Sequence, residues 1–250
     1  MVHLGPLPGS PFDEGLTRDS LLGRAQGDLD ALLEAGFDAV CISNESDRPY
    51  LNAIPPEQIA LFTFIVARLT ERLEIPFGCG MLIDARATLA VAKAVGAAFA
   101  RVTYGVTAGT FGFHSQVPGE LLRYRRQIGA TDVRLFVNVL PYLGTSLDRR
   151  SGADVLAAAA AWTNPDALQI GSHDAGGSDV DLLREVRARV PTMPLVVAGG
   201  VTAASISTAL EMGDAVIVGT SLKRDGEPWN PIDPARATAF MSRVREARGY

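Results

Sequence analysis

Glu45 and Asp84 are the carboxylates best suited by type to acid–base chemistry, each just past a short apolar run that reads as a strand. Their strands are neighbours, so the two groups could approach one another. Crowded carboxylates split their pKa values, leaving one acid and one base. Each has a second role open to it. Asp84 fits the N-cap of a helix that begins at Ala85, and Glu45 fits a solvated loop charge. Arg101 lies inside an apolar strand, where a cation is costly unless it meets a partner, solvent or an anion. Alternation along the strand points it into the upper barrel lumen, and Asn138 and Gln169 on the next two strands share that direction. Catalytic roles are therefore expected for Glu45, Asp84, Arg101 and Asn138; the alternative for the buried polar residues is a structural network beneath a site.

Two glycine turns supply a different chemistry. The run Leu195–Ala198 enters Gly199-Gly200-Val201-Thr202, and Ala215–Val218 enters Gly219-Thr220-Ser221. Strand-end glycine turns with free N–H groups form a phosphate cup after the last two strands of a (β/α)₈ barrel. Gly199, Gly200, Gly219 and Thr220 are expected to hold a phosphate; the plainer alternative is that the glycines only permit tight turns. His3, Asn44, Gln169, His173 and Lys223 are expected to line the substrate pocket. The three histidines, His3, His114 and His173, lack metal-type spacing, so each reads as a hydrogen-bonding loop residue. No metal or cofactor is expected, although Asn138 and Asp84 leave Mg²⁺ open. Lys223 sits in the charged segment Lys223-Arg224-Asp225-Gly226 and reads as exposed, a phosphate or substrate clamp or a surface residue. An exposed lysine argues against Schiff-base chemistry, which needs a buried one on a strand.

These residues need a scaffold, and the chain repeats a strand-then-helix pattern eight times. The strands are Val2–Leu4, Asp38–Ser43, Phe77–Leu82, Phe99–Tyr104, Val133–Val139, Ala167–Ile170 and the two that enter the glycine turns. Helices are expected to start near Leu21, at Pro56, after Asp84, at Pro118, after Ser151, after Ser178 with a Ser178/Asp181 capping box, after the seventh-strand turn, and at Asp233-Pro234. A longer loop separates the fourth strand from Pro118. Short apolar strands alternating with helices predict a parallel sheet. The expectation is one (β/α)₈ TIM-barrel domain over residues 1–250. An open doubly wound sheet fits less well, because no G-x-G-x-x-G turn follows the first strand.

Bulk properties narrow the partners. The 250 residues suit one such barrel, and 47% are hydrophobic, enough for one large core. A net charge of −5 offers no basic face for nucleic acid. Cys41 and Cys79 fall in strands without metal spacing and read as buried free thiols. No signal peptide and no membrane span are expected, which predicts a cytoplasmic protein and leaves a homo-oligomer open.

The chain is similar to the BtpA/SgcQ-like family. The opening Val2-His3-Leu4-Gly5-Pro6-Leu7-Pro8-Gly9-Ser10-Pro11 resembles the family's first motif. Val218-Gly219-Thr220-Ser221-Leu222-Lys223, with Asp225-Gly226 and Asn230-Pro231-Ile232-Asp233, resembles its last. Gly200-Val201-Thr202 matches the seventh-strand turn. Ser43-Asn44-Glu45 with Pro49-Tyr50-Leu51 is similar to the SgcQ branch, as are Asp84, Arg101, Gly119-Glu120 with Arg123, Ile128-Gly129-Ala130 and Asn138. The resemblance implies a barrel of the ribulose-phosphate-binding type. It also implies a choice of functions. SgcQ-like members are described as nucleosidases or sugar-operon proteins, and BtpA is linked to photosystem I biogenesis. At the second strand this chain has Ser43-Asn44-Glu45-Ser46-Asp47 where the BtpA branch has Glu-Asn-Phe-Gly-Asp, and Gln169 and His173-Asp174 also depart from the family pattern. The expected function is cleavage of a glycosidic bond in a phosphorylated sugar or nucleoside. A sugar-phosphate isomerase or lyase, or a non-catalytic assembly factor, are the alternatives.

Overall fold

A computed structural model describes residues 1–109, 112–139, 144–171 and 179–249. Eight parallel strands form one sheet: β1 (Val2–His3), β2 (Val40–Ser43), β3 (Phe77–Gly80), β4 (Phe99–Thr103), β7 (Arg134–Asn138), β9 (Ala167–Gly171), β10 (Leu195–Ala198) and β11 (Ala215–Ile217), paired in that order. The first and last strands meet, because the Met1 nitrogen donates to the Val218 carbonyl at 2.9 Å. Around them run α1 (Arg18–Ala35), α2 (Pro56–Thr70), α3 (Ala85–Val95), α4 (Pro118–Gln127), α5 (Gly152–Thr163), α6 (Val180–Arg189), α7 (Ile206–Met212) and α8 (Pro234–Arg248). Each helix packs on the next, and α8 returns to α1. The fold is a (β/α)₈ barrel.

Local chemistry sets the helix starts. Pro56, Pro118 and Pro234 occupy first-turn positions, where a missing N–H costs nothing. Thr17, Asp84, Ser151 and Asp233 cap through side-chain oxygens. Asp179, rather than Ser178, caps α6, accepting from the Leu182 N–H at 3.0 Å; Ser178 lies outside the described residues.

Strand alternation divides the core in two. Outward residues such as Val2, Ile42, Val102, Val137, Ile170 and Val197 pack under the helices. Inward residues Met1, Cys41 and Phe99, with Phe136 and Ile217, plug the lower lumen. The Phe99 and Phe136 rings stack with centroids 4.6 Å apart. A Cβ at Gly78 would stand 2.2 Å from the Phe99 ring, so only glycine leaves room for this plug. Both cysteines are buried free thiols.

The segment between the fourth barrel strand and Pro118 is more than the expected loop. It folds into β5 (Gly105–Gly109) and β6 (Gly112–Gln116), and β8 (Thr145–Ser146), after β7, joins them in an antiparallel sheet of order β6-β5-β8. The alternation there is masked by glycines at both strand ends and by mixed small and polar residues.

Candidate functional site

Above the aromatic plug the inward positions turn polar. Register aligns His3 with Ser43 and Ser43 with Gly80, and places Asn138 beside Gln169. Arg101 is the centre of this layer. Its Nε donates to Gln169 Oε1 at 2.7 Å and its Nη1 to Glu45 Oε1 at 3.1 Å. The Tyr50 hydroxyl donates toward Glu45, 3.2 Å from Oε2 and 2.9 Å from the backbone carbonyl. The Arg101 and Glu45 side chains are only 13% and 10% exposed. Glu45 is therefore not a solvated loop charge. Burial pushes its carboxyl upward, but His3, the Arg101 guanidinium and the Tyr50 hydroxyl outweigh that, and the group is held below the usual range.

His3 lines the same layer. Burial lowers its pKa to about 4, against the pull of Glu45, so the ring is neutral at neutral pH. Its Nδ1 lies 3.1 Å from the Pro228 carbonyl, which can only accept, so Nδ1 carries the proton and Nε2 an open lone pair. Nε2 points at the eighth-strand turn, 3.1 Å from where a Gly219 Cβ would stand. Ser43, fully buried on the inward side of β2, finds no partner for its hydroxyl among the described residues.

The two glycine turns lie side by side. The Ser221 hydroxyl donates to the Val201 carbonyl at 2.8 Å and ties one turn to the other. Gly199 and Gly200 adopt φ of 76° and 66°, which favours glycine. Among the described residues, nothing accepts from the N–H groups of Gly200, Val201, Thr220 or Ser221. Gly199 and Thr220 are exposed.

Three candidates are engaged elsewhere. Asp84 spends both oxygens on backbone amides, Ala87 at 2.9 Å and Ile54 at 3.0 Å, and serves as the cap of α3. Among the described residues it shares no hydrogen-bond partner with Glu45, whose carboxylate pairs with Arg101. Asn44 joins two loops, accepting from the Leu82 N–H at 2.6 Å and donating to Asp47 at 3.2 Å. Asp47 in turn accepts from the Leu7 N–H at 2.6 Å, and burial raises its pKa to about 6. Lys223 is not exposed: its side chain is buried, and Nζ donates to Asp28 Oδ2 at 2.5 Å. Asp28 Oδ1 also accepts from the Ile232 N–H at 2.6 Å, which pins the loop after β11 to α1. The ammonium thus points into a structural pair and not at the cup. His173 lies outside the described residues.

Sequence reasoning named Tyr50 and Ser221 only as motif residues, with no role in the site, and did not single out Pro228. An aromatic hydroxyl five residues after Glu45 was the one available signal; the other two depend on loops meeting across the barrel end. Among the described residues no three His, Cys, Asp or Glu side chains gather as a metal would require, and no helix is long and apolar enough to cross a membrane.

Comparison with solved structures agrees on the fold. Phosphoribosyl anthranilate isomerase from Thermus thermophilus superposes with a TM-score of 0.58 at 11% identity, covering 88% of this chain and 94% of that one. A native KDPGal structure gives 0.59 at 19% identity, covering 94% and 93%. Among curated proteins, the SgcQ sgc-region protein of Escherichia coli K12 is 34% identical over 251 residues, 99% of this chain and 94% of its own length. The photosystem I biogenesis protein BtpA of Synechocystis is 33% identical over 256 residues, 98% of this chain and 87% of its own length. A Pyrococcus horikoshii protein is 30% identical over 261 residues, 99% of this chain and 95% of its own. The BtpA family model matches residues 1–246. With that match and relatives aligned along nearly its whole length, the chain belongs to the BtpA family.

Proposed function

We propose that this protein is an enzyme that binds a small phosphorylated sugar or nucleoside-like compound at the C-terminal mouth of the barrel and cleaves its glycosidic bond. One observation carries the reading: an ionised Glu45, clamped by Arg101 above an apolar plug, in a layer that also holds a neutral His3. The phosphate sits in the cup of Gly199, Gly200, Gly219 and Thr220, where the N–H groups of Gly200, Val201, Thr220 and Ser221 are open to it. Arg101, Asn138 and Gln169 orient the sugar. As the bond to the anomeric carbon breaks, its electron pair leaves with the departing group and positive charge spreads over the carbon and ring oxygen. The Glu45 carboxylate stabilises that charge. Water adds to the anomeric carbon, and its proton passes through His3 Nε2 to the leaving group. An imidazole of pKa about 4 surrenders a proton readily, which suits a relay.

A sugar-phosphate isomerase or lyase is the second reading. Glu45 and His3 are the proton acceptors it would use, but pKa values held below the ordinary range make both weak bases for a proton next to a carbonyl. Lys223 is committed to Asp28 in either case, which disfavours a Schiff base. Products separate the two: hydrolysis releases a free base or alcohol, and isomerisation only rearranges the sugar. Glu45→Gln keeps the shape and removes the charge, with an expected rate loss of ~10²–10⁴ and little loss of binding. Full turnover by that variant removes the mechanism. It also favours an assembly role like the one for which the Synechocystis relative is named.

A further inference from the structure

Resting on the function just proposed, we propose that the β6-β5-β8 sheet roofs this mouth, and that Thr107 and His114 form a hydrogen-bonding subsite for the non-phosphate part of the ligand. The two residues face each other directly across the β5–β6 pair. The other face of the sheet carries Phe113, which is 58% exposed, and exposed Ser115. Thr107 and His114 are 3% and 4% exposed, so the sheet has one wet face and one covered face.

The anchors tell what lies beneath. Asn52, in the loop after β2, donates to the Phe113 carbonyl at 2.9 Å and accepts from Gln116 Nε2 on its own carbonyl at 3.3 Å. Gln116 Oε1 accepts from the Ala85 N–H at 3.3 Å, at the start of α3. On the opposite edge, β8 follows β7, and the Leu147 N–H donates to the Val106 carbonyl at 3.2 Å. Every anchor lies beyond the C-terminal end of a barrel strand. The sheet therefore stands over the end of the barrel that holds Glu45, Arg101 and the glycine turns, and its covered face is the one assigned to that mouth.

That face holds polar groups without partners. Among the described residues, Thr107 Oγ1 and both ring nitrogens of His114 find no hydrogen-bond partner. Ser43 Oγ, inside the barrel below, is in the same state. Native proteins rarely leave buried polar atoms unmatched, and those that remain call for an occupant. Burial lowers the pKa of His114, which favours the neutral ring. A neutral imidazole offers one donor and one acceptor, and a threonine hydroxyl offers both. Together they complement a neutral group with adjacent donor and acceptor. A sugar diol and the edge of a heterocyclic base share this chemistry.

The test compares wild type, Thr107→Val, His114→Phe and His114→Gln by calorimetry and thermal melting with inorganic phosphate, ribose 5-phosphate and AMP. Each apolar variant should weaken an organic phosphate about five- to tenfold. Inorganic phosphate should bind as before, and the ligand-free melting temperature should hold or rise because an unmatched polar group is gone. His114→Gln should recover part of the affinity. Losses with both organic phosphates assign the sugar, and a loss with AMP alone assigns the base. Unchanged affinities overturn the subsite and leave the proposed function standing. So does a lowered melting temperature with all three ligands weakened alike, the mark of a packing role. Wild type that binds none of the three overturns the proposed function and the subsite with it.

Discussion

Replacing Arg101 by methionine should destabilise the protein strongly at neutral pH and much less in acid. The substitution keeps most of the side chain's apolar volume and removes the charge. Glu45, whose side chain is 10% exposed, then keeps the Tyr50 hydroxyl and the nearby His3 ring but loses its cation, and Gln169 loses its 2.7 Å donor. Removing one member of a buried ion pair costs about 3–5 kcal/mol. In a chain this long, each kcal/mol moves the melting temperature by about 2–4 °C, so a fall of about 6–20 °C is expected at pH 7. The low end applies if Glu45 takes up a proton. In the wild type Glu45 is held below its ordinary 4.5, so its contribution is present above that pH and is lost as pH falls through the lower folded value. In the variant burial meets less opposition, so the Glu45 pKa rises relative to the wild type and its contribution at neutral pH shrinks. The gap between the two proteins should thus be widest at pH 7 and narrow toward pH 4. Differential scanning calorimetry over that range measures it. Equal melting temperatures at pH 7, or a gap that widens in acid, would refute the buried pair.

Lys223→Met strands Asp28 and should cost about 3–5 kcal/mol in a denaturant melt, with phosphate affinity retained in whatever protein folds. Lost phosphate affinity at unchanged stability would restore the clamp. Asp84→Asn keeps the cap on Ala87 but turns an amide NH2 toward the Ile54 N–H, so it should cost about 1–3 kcal/mol and spare turnover; a folded but inactive variant would make Asp84 catalytic after all. Gly219→Val crowds His3 and blocks the cup, so it should weaken phosphorylated ligands more than their unphosphorylated counterparts in a binding assay. Equal losses for both would remove the phosphate assignment.

The barrel was legible because its signals are local. Most apolar strands run directly into a glycine, and Pro56, Pro118 and Asp233-Pro234 mark helix starts that the structure reproduces. Arg101 was legible because a cation inside an apolar strand demands a partner. What that partner is depends on contacts 56 and 68 residues away, Glu45 and Gln169, which no local pattern encodes. Lys223 misled for the same reason. Its neighbours Arg224 and Asp225 are exposed, while its own side chain reaches back 195 residues to Asp28. Asp84 carried two local signals, and the capping one describes its contacts. The β5–β6 hairpin escaped notice because its glycines and polar residues resemble loop composition.

The central claim is that the barrel mouth takes a small phosphorylated sugar or nucleoside. Thermal shifts of the wild-type protein across nucleosides, nucleoside monophosphates and pentose phosphates test it most directly. A ligand at one hundred times its Kd adds about 2.7 kcal/mol, or about 5–11 °C here. At least one phosphorylated compound should produce a shift of that size, and its unphosphorylated counterpart a smaller one at equal concentration. A panel with no shift, or equal shifts with and without the phosphate, would contradict the account.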